Sequence, residues 1–293
     1  MRSQSPLRVA GRTFSYLLLV AAAVISLVPI YWMFITSIQL DLYTEHVPPL
    51  WYPVGIVNYF KTFDPTWLQQ SFDTLQGLFL RQPIGRWFFN SAYIAVVVTG
   101  GILLLDSMAA YALAKKQFPG RKAAFWAIIG TMMIPGQVTL VPLFIMIRVL
   151  GMIDTHWALI LPDLSMVFGV FLLRQFMLSG VPNELLEAAK IDGANEWQTY
   201  TNIVLPLSTP ALATLGIFTF TSVWNSFLWP VIVLNKKALM TLPVALKLLQ
   251  DQNLAIFKLL MAGAAVAALP TIIVFLLFQR YFIKGLTVGS LKG

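Results

Sequence analysis

The sequence holds 293 residues, 58 % hydrophobic and 11 % charged, with a formal net charge of +8 and no cysteine. A soluble domain carries about 25 % charged residues, so a water-facing globule is excluded, and most of the surface must face lipid. Disulfides, thiolate metal sites and thiol nucleophiles are excluded as well. The basic balance fits Lys and Arg gathered on cytoplasmic loops. It does not indicate nucleic acid, because no basic patch is interleaved with aromatics outside the apolar runs.

Roughly twenty apolar residues cross a bilayer as a helix, so the length suits about six spans in one all-α membrane domain. Arg2, Arg8 and Arg12 precede a charge-free run from Thr13 to Leu40, too long for the 7–15-residue core of a signal peptide. The first span is therefore placed near Tyr16–Ile38 after a cytoplasmic tail, residues 1–12, with Pro29 as a candidate kink. The aromatic, Pro-containing segment Asp41–Arg86 is either interfacial or a small external cap. Further spans are predicted near Trp87–Ala114, Ala123–Ile147, Trp157–Leu178, Pro206–Leu234 and Leu259–Phe282. Pro135-Gly136 and Pro142 interrupt the third, whose outer half reads as a break plus a short helix.

Six crossings put both termini on one side. Termini inside give twelve Lys and Arg to the cytoplasm and eight to the outer loops. The cluster Lys115-Lys116…Arg121-Lys122 is the strongest vote for that orientation, since short basic loops at helix ends decide it.

Between the fourth and fifth spans lies a polar segment, residues 179–206. Pro182 presets a first helical turn, and Asn183 or Glu184 favours a helix start. Leu185, Ala188 and Ala189 fall at i, i+3 and i+4, an apolar stripe, and Gly193 suits a left-handed helix end. A second short helix, about Glu196–Val204, returns the chain to Pro206. Such a helix either rests on lipid headgroups or docks on protein. Alanines are poor membrane-anchor chemistry, and small side chains permit close approach to a protein groove.

Other candidates carry weaker signals. Ser222, Asn225, Ser226 and Trp229 fall at i, i+3, i+4 and i+7, a polar-aromatic stripe that would either line a transport pathway or meet another helix. Asp106 lies about 13 Å inside a span at 1.5 Å per residue, and without a chain of acidic or His partners it reads as a structural hydrogen-bonding residue. His46 and His156 are the only histidines, and neither opens an H-E-x-x-H site. No G-x-x-x-x-G-K-[ST] loop is present, so no catalytic or metal site is expected and this chain should not bind ATP. Charged rings or a filter loop, the marks of a channel, are also missing.

The loop reads E-A-A-x₃-G-x₉-I-x-L-P, carried by Glu187, Ala188, Ala189, Gly193, Ile203, Leu205 and Pro206, with Asp192 before the glycine. Seven specified positions at fixed spacing arise by chance in fewer than roughly one in ten million windows. The pattern resembles the loop by which permeases of bacterial ABC importers grip their ATPases. Ala109–Ala114, Ile134–Pro142, Phe171–Phe176, Trp224–Pro230 and the terminal Gly285, Gly289, Lys292 and Gly293 are similar to the smaller six-span subunit of maltose-type sugar importers. That branch includes glycerol-phosphate importers. The resemblance implies a second permease subunit, two ATPase subunits that hold ATP and Mg, and an extracytoplasmic sugar-binding protein. It also implies a tail, residues 284–293, that reaches the ATPases; its three glycines read as a flexible segment.

Overall fold

The computed structural model describes residues 6–39, 51–54, 56–57, 69, 73, 83–251 and 257–288. Every regular element among them is helical. Charge-free runs fold as helices because a backbone in hydrocarbon must satisfy its own polar groups. Four helical stretches are long and apolar enough to cross a membrane, and two bent pairs raise the total to six if each pair is one span.

The contacts divide the chain into two units, residues 1–84 with 246–268, and residues 85–245 with 269–293. In the first, α1 (Pro6–Ser37) runs through Pro29 as one helix, and none of its residues from Arg12 to Ile35 is buried. Its end is pinned locally. The Tyr31 hydroxyl donates to the Trp51 carbonyl at 2.5 Å, and the Gln39 amide bridges Tyr52 O at 3.1 Å and Val54 N–H at 2.9 Å. Most of Asp41–Arg86 lies outside the described residues.

The second unit starts with α2 (Ile84–Lys115). Next come α3 (Arg121–Thr131) and α4 (Gly136–Val149), bent by 95°. The expected interruption falls at the Pro135 end. Pro142 does not interrupt α4, which runs through it. The fourth span contains α5 (Trp157–Ile160), a 3₁₀ turn (Leu161–Asp163) and α6 (Val167–Gly180). Helix α7 (Asn183–Ile191) follows in the connecting loop, and the fifth candidate span begins with α8 (Glu196–Thr199), then a π-helical stretch (Tyr200–Val204) and α9 (Leu205–Leu207). It continues as α10 (Thr209–Trp224), bent by 77° from the preceding helix, and α11 (Leu228–Val233). Beyond α12 (Leu242–Asp251), α13 (Phe257–Val288) closes the described chain.

Ile94, Val98, Ile102, Leu173, Met177 and Leu215 are among the buried residues of the core of this unit. Asp106 is buried within it. Its carboxylate accepts from Ser165 Oγ at 2.7 Å and from the Met166 N–H at 3.1 Å. Met166 is the extended residue that precedes α6, so Asp106 ties α2 to the start of α6 as a hydrogen-bond acceptor. Gly169 is needed beside it, because a Cβ there would stand 2.1 Å from Asp106 Oδ2.

Candidate functional site

Helix α7 starts and stops through backbone chemistry that its sequence encodes. Pro182 precedes it in an extended conformation, φ −62 and ψ 139. The Lys115 ammonium, at the end of α2, donates to Val181 O at 2.6 Å and to Asn183 Oδ1 at 2.9 Å. At the other end Gly193 adopts φ +80. Its N–H reaches Lys190 O at 3.2 Å, and the Ala194 N–H reaches Ala189 O at 2.9 Å. These two bonds form a Schellman motif, which satisfies carbonyls that a helix end leaves open.

The apolar stripe divides between two faces. Ala189 is buried and Leu186 packs on the core. Leu185 and Ala188 point away, joined by Ile191, which is 87 % exposed. Leu185 and Ala189 therefore do not share one docking face. At 100° per residue, Leu185, Ala188 and Ile191 form an outward row while Leu186 and Ala189 serve the bundle. Glu187 and Asp192 are exposed, as is Pro206; Ile203 and Leu205 are half-buried. The motif thus contributes both to an outer surface and to the seat beneath it.

A polar clamp that the motif does not name fixes the next turn. The Asn195 side chain accepts from the Gln198 N–H at 2.9 Å, and the Gln198 side chain accepts from the Asn195 N–H at 2.9 Å, a reciprocal cap for α8. Glu196 forms an ion pair with Lys116 and accepts from the Tyr111 hydroxyl at 3.1 Å. Lys116 also stands 4.9 Å from the centroid of the Tyr111 ring. Burial works against the Lys116 charge, but hydrogen bonds and attraction from Glu196 and Tyr111 outweigh it and raise the ammonium pKa above its usual range. The Tyr200 hydroxyl meets Ser107 Oγ at 2.6 Å, so α2 holds the loop along more than two turns. Of these residues, the Asn195-x-x-Gln198 cap was readable as a capping box. The partners of Tyr111 and Tyr200 lie some ninety residues away, and spacing carries no sign of them.

The stripe over Ser222, Asn225, Ser226 and Trp229 does not form. Helix α10 ends at Trp224, and Phe227 has φ −125 and ψ −52. Pro230 explains the break: it has no N–H and its ring would collide with the carbonyl of Ser226 in a continuous helix. Ser222 and Asn225 are exposed and Ser226 is half-buried. The Asn225 amide donates to Thr221 O at 2.8 Å. The Trp229 indole N–H donates to Ala158 O at 2.9 Å, fastening α11 to α5.

The tail also differs from expectation. Helix α13 runs through Gly285 to Val288, because extending an existing helix is far easier than nucleating one. Gly289 and Lys292 lie outside the described residues.

Residues 103–288 match the family described as binding-protein-dependent transport system inner membrane component. The chain is 41 % identical over 207 residues to the arabinooligosaccharides transport system permease protein AraQ of Halalkalibacterium halodurans, covering 71 % of this chain and 74 % of that protein. It is 32 % identical over 286 residues to the sn-glycerol-3-phosphate transport system permease protein UgpE of Agrobacterium fabrum, covering 95 % and 97 %. A crystal structure of a bacterial ABC transporter involved in the import of the acidic polysaccharide alginate contains a chain of the same fold. There the TM-score is 0.76 at 23 % identity, over 96 % of this chain and 100 % of that one. A bacterial alginate ABC transporter in complex with an alginate pentasaccharide-bound periplasmic protein matches at TM-score 0.58 and 14 % identity, over 94 % and 96 %. The family match spans the α7–α8 loop together with the helices that hold it. The chain belongs to the binding-protein-dependent transport system inner membrane components, the permease subunits of ABC importers, in which ATP hydrolysis is the work of a separate chain.

Proposed function

We propose that this permease imports sugars by alternating access, and that α7 is the element through which it follows its ATPases. The observation that carries the coupling role is the outward row Leu185, Ala188 and Ile191, flanked by the exposed acids Glu187 and Asp192. The helix that bears it is sealed at its Gly193 end and tied at its start to α2 through Lys115. Such a helix transmits displacement, because its far end is closed by its own backbone bonds and its near end is anchored when a partner pushes on it. Glu187, Ala188, Asp192 and Gly193 belong to the outer side of this coupling element; Ala189, Ile203, Leu205 and Pro206 link it to the bundle.

The remaining partners follow from the same reading: a second permease subunit, two ATPase subunits, an extracytoplasmic binding protein and the surrounding lipid. Both termini and the loop 179–206 then lie in the cytoplasm. Ser222, Asn225, Ser226 and Trp229 are assigned to the neighbourhood of the pathway or of the second permease, and Gly285, Gly289 and Lys292 to a tail near the ATPases. The arabinooligosaccharide relative supports a sugar cargo. The glycerol-phosphate relative supports a second reading, a polyol phosphate. Against it stands the absence of Lys or Arg in the middle of any span of this subunit.

Uptake by proteoliposomes of the complete importer tests the assignment. With the binding protein present, ATP-dependent accumulation of labelled oligosaccharide is expected and glycerol phosphate should not compete. Competition by glycerol phosphate would replace the sugar reading with the second one. Orientation is tested in intact cells with single cysteines, since the natural chain has none. Lys116→Cys and Glu196→Cys should be shielded from an impermeant thiol reagent, whereas Lys61→Cys and Lys237→Cys should react.

A further inference from the structure

Between α3 and α6 lies a cavity of about 500 Å³ that the coupling loop does not use. Arg121, Lys122 and Arg174 supply three cations to its lining, and no acidic residue lines it. Among the described residues none of the three has a carboxylate within ion-pair distance; the nearby Lys116 is the one paired with Glu196. The Arg174 guanidinium lies 3.8 Å from the centroid of the Phe125 ring, and its Nε donates to Leu113 O at 3.3 Å. Arg121 Nη1 donates to Lys116 O at 2.8 Å. The two arginines are held in place by neutral partners, so their charge is directed without being cancelled.

The order of side chains along the two helices is informative. On α3 the cations Arg121 and Lys122 come first, and Phe125 and Trp126 follow one turn deeper. On α6, which leaves the membrane on the same side, Phe171 comes first and Arg174 and Gln175 one turn later. Both helices therefore present cations at the rim and aromatics about 5 Å further in, at 1.5 Å per residue. Trp126 is 68 % exposed and Phe171 37 %, so this inner wall is open. A free phosphate needs the rim alone. A molecule with an anionic head and an acyl chain needs both levels.

We propose that this cavity binds the headgroup of an anionic phospholipid, with its acyl chain along Trp126 and Phe171. The inference rests on reading the chain as a membrane permease, and under the orientation above the lipid belongs to the cytoplasmic leaflet. Basic pockets between membrane helices on that side suit anionic headgroups, each Lys or Arg contributing about a five-fold change in binding. Arginine adds forked hydrogen bonds to phosphate oxygens.

The test is native mass spectrometry of the assembled importer, delipidated and then returned to phosphatidylglycerol or phosphatidylethanolamine. Phosphatidylglycerol should be retained in preference, and Lys122→Gln should reduce that preference about five-fold. The double variant Arg121→Gln/Lys122→Gln should reduce it further, and neither variant should alter subunit stoichiometry. Arg174→Gln is less suitable, because it removes both the link to Leu113 and the contact with the Phe125 ring that shapes the cavity wall. Equal retention of the two lipids, or a preference unchanged in both variants, would overturn the proposal. Displacement of phosphatidylglycerol by millimolar inorganic phosphate would identify a free-anion site and overturn it too. Coupling is read separately, from binding-protein-stimulated ATP hydrolysis, so failure of the lipid site and failure of the importer reading give different results.

Discussion

The α7–α8 loop and the segment from Thr221 to Pro230 both interrupt helical structure, and they resolve the interruption in opposite ways. In the loop, the end of α7 is sealed by backbone bonds around Gly193 and the start of α8 by the Asn195–Gln198 cap. Side chains in α2 and just beyond its end add Tyr111, Lys115 and Lys116. In the second segment the freed groups are met piecemeal, by the Asn225 amide on Thr221 O and by the Trp229 indole reaching across to Ala158 O. Self-contained caps suit an element that faces water and moves as a unit. An interruption at membrane depth persists only where neighbouring protein supplies its partners.

If that contrast is right, Gly193 should be the most sensitive position of the loop. Gly193→Val forces a β-branched residue to φ +80, which costs about 1–2 kcal/mol, and Gly193→Pro cannot adopt that angle at all. Transport and binding-protein-stimulated ATP hydrolysis should collapse while membrane insertion persists. Normal hydrolysis in both variants would remove the sealed end from the account.

In the second segment the dependence is on the neighbour. Trp229→Phe keeps an aromatic side chain but removes the indole N–H, leaving Ala158 O without its donor. A loss near 1 kcal/mol is expected, read as a lower melting temperature of the purified complex. Should the variant instead match wild type in stability but lose substrate affinity, Trp229 would be a pathway residue rather than a fastener.

The clamp on α8 should matter less for stability than for coupling. Lys116 and Glu196 are 36 % and 73 % exposed, and pairs of that kind contribute below about 1 kcal/mol. Lys116→Met should lower sugar transported per ATP with little change in melting temperature. Deleting Leu286–Gly293 should act on the same ratio while leaving the complex assembled, and an unaltered ratio would separate the tail from coupling.

The smallest effect is expected at the turn before α5. There Asp154, at φ +59, accepts the N–H groups of Asn235 at 2.5 Å and Lys236 at 3.0 Å. These bonds hold its carboxyl below the ordinary 3.8. A depressed carboxyl stabilises the fold above its unfolded pKa, and that contribution fades as pH falls through the folded value. Asp154→Asn should therefore melt slightly below wild type at pH 6, and the gap should begin to narrow only as pH falls below about 4.

Local signals carried most of what the sequence revealed. Apolar windows gave the spans, Gly193 gave the end of α7, and Pro135 gave the bend after α3, because each acts within a turn of itself. The division of the alanine stripe was not legible, since periodicity defines a face without saying which neighbour covers it. Pro230 carries a signal for the end of the Ser222–Trp229 face, which a helical spacing extended through it overlooks. The clamp by Tyr111, Lys116 and Ser107 depends on a packing partner that no local pattern names. Asp106 was legible as a hydrogen-bonding residue, whereas its need for Gly169 emerged only from the approach of α6.

Contact between α7 and an ATPase subunit is the claim on which the account turns. A photo-crosslinker attached at Ile191→Cys in the otherwise cysteine-free permease reads it directly, with Asn235→Cys, which the proposed topology puts on the opposite side of the membrane, as the control. The account predicts an adduct with the ATPase subunit from Ile191, with a yield that changes when nucleotide binds, and none from Asn235. Absence of that adduct in an importer that still hydrolyses ATP and transports would contradict it.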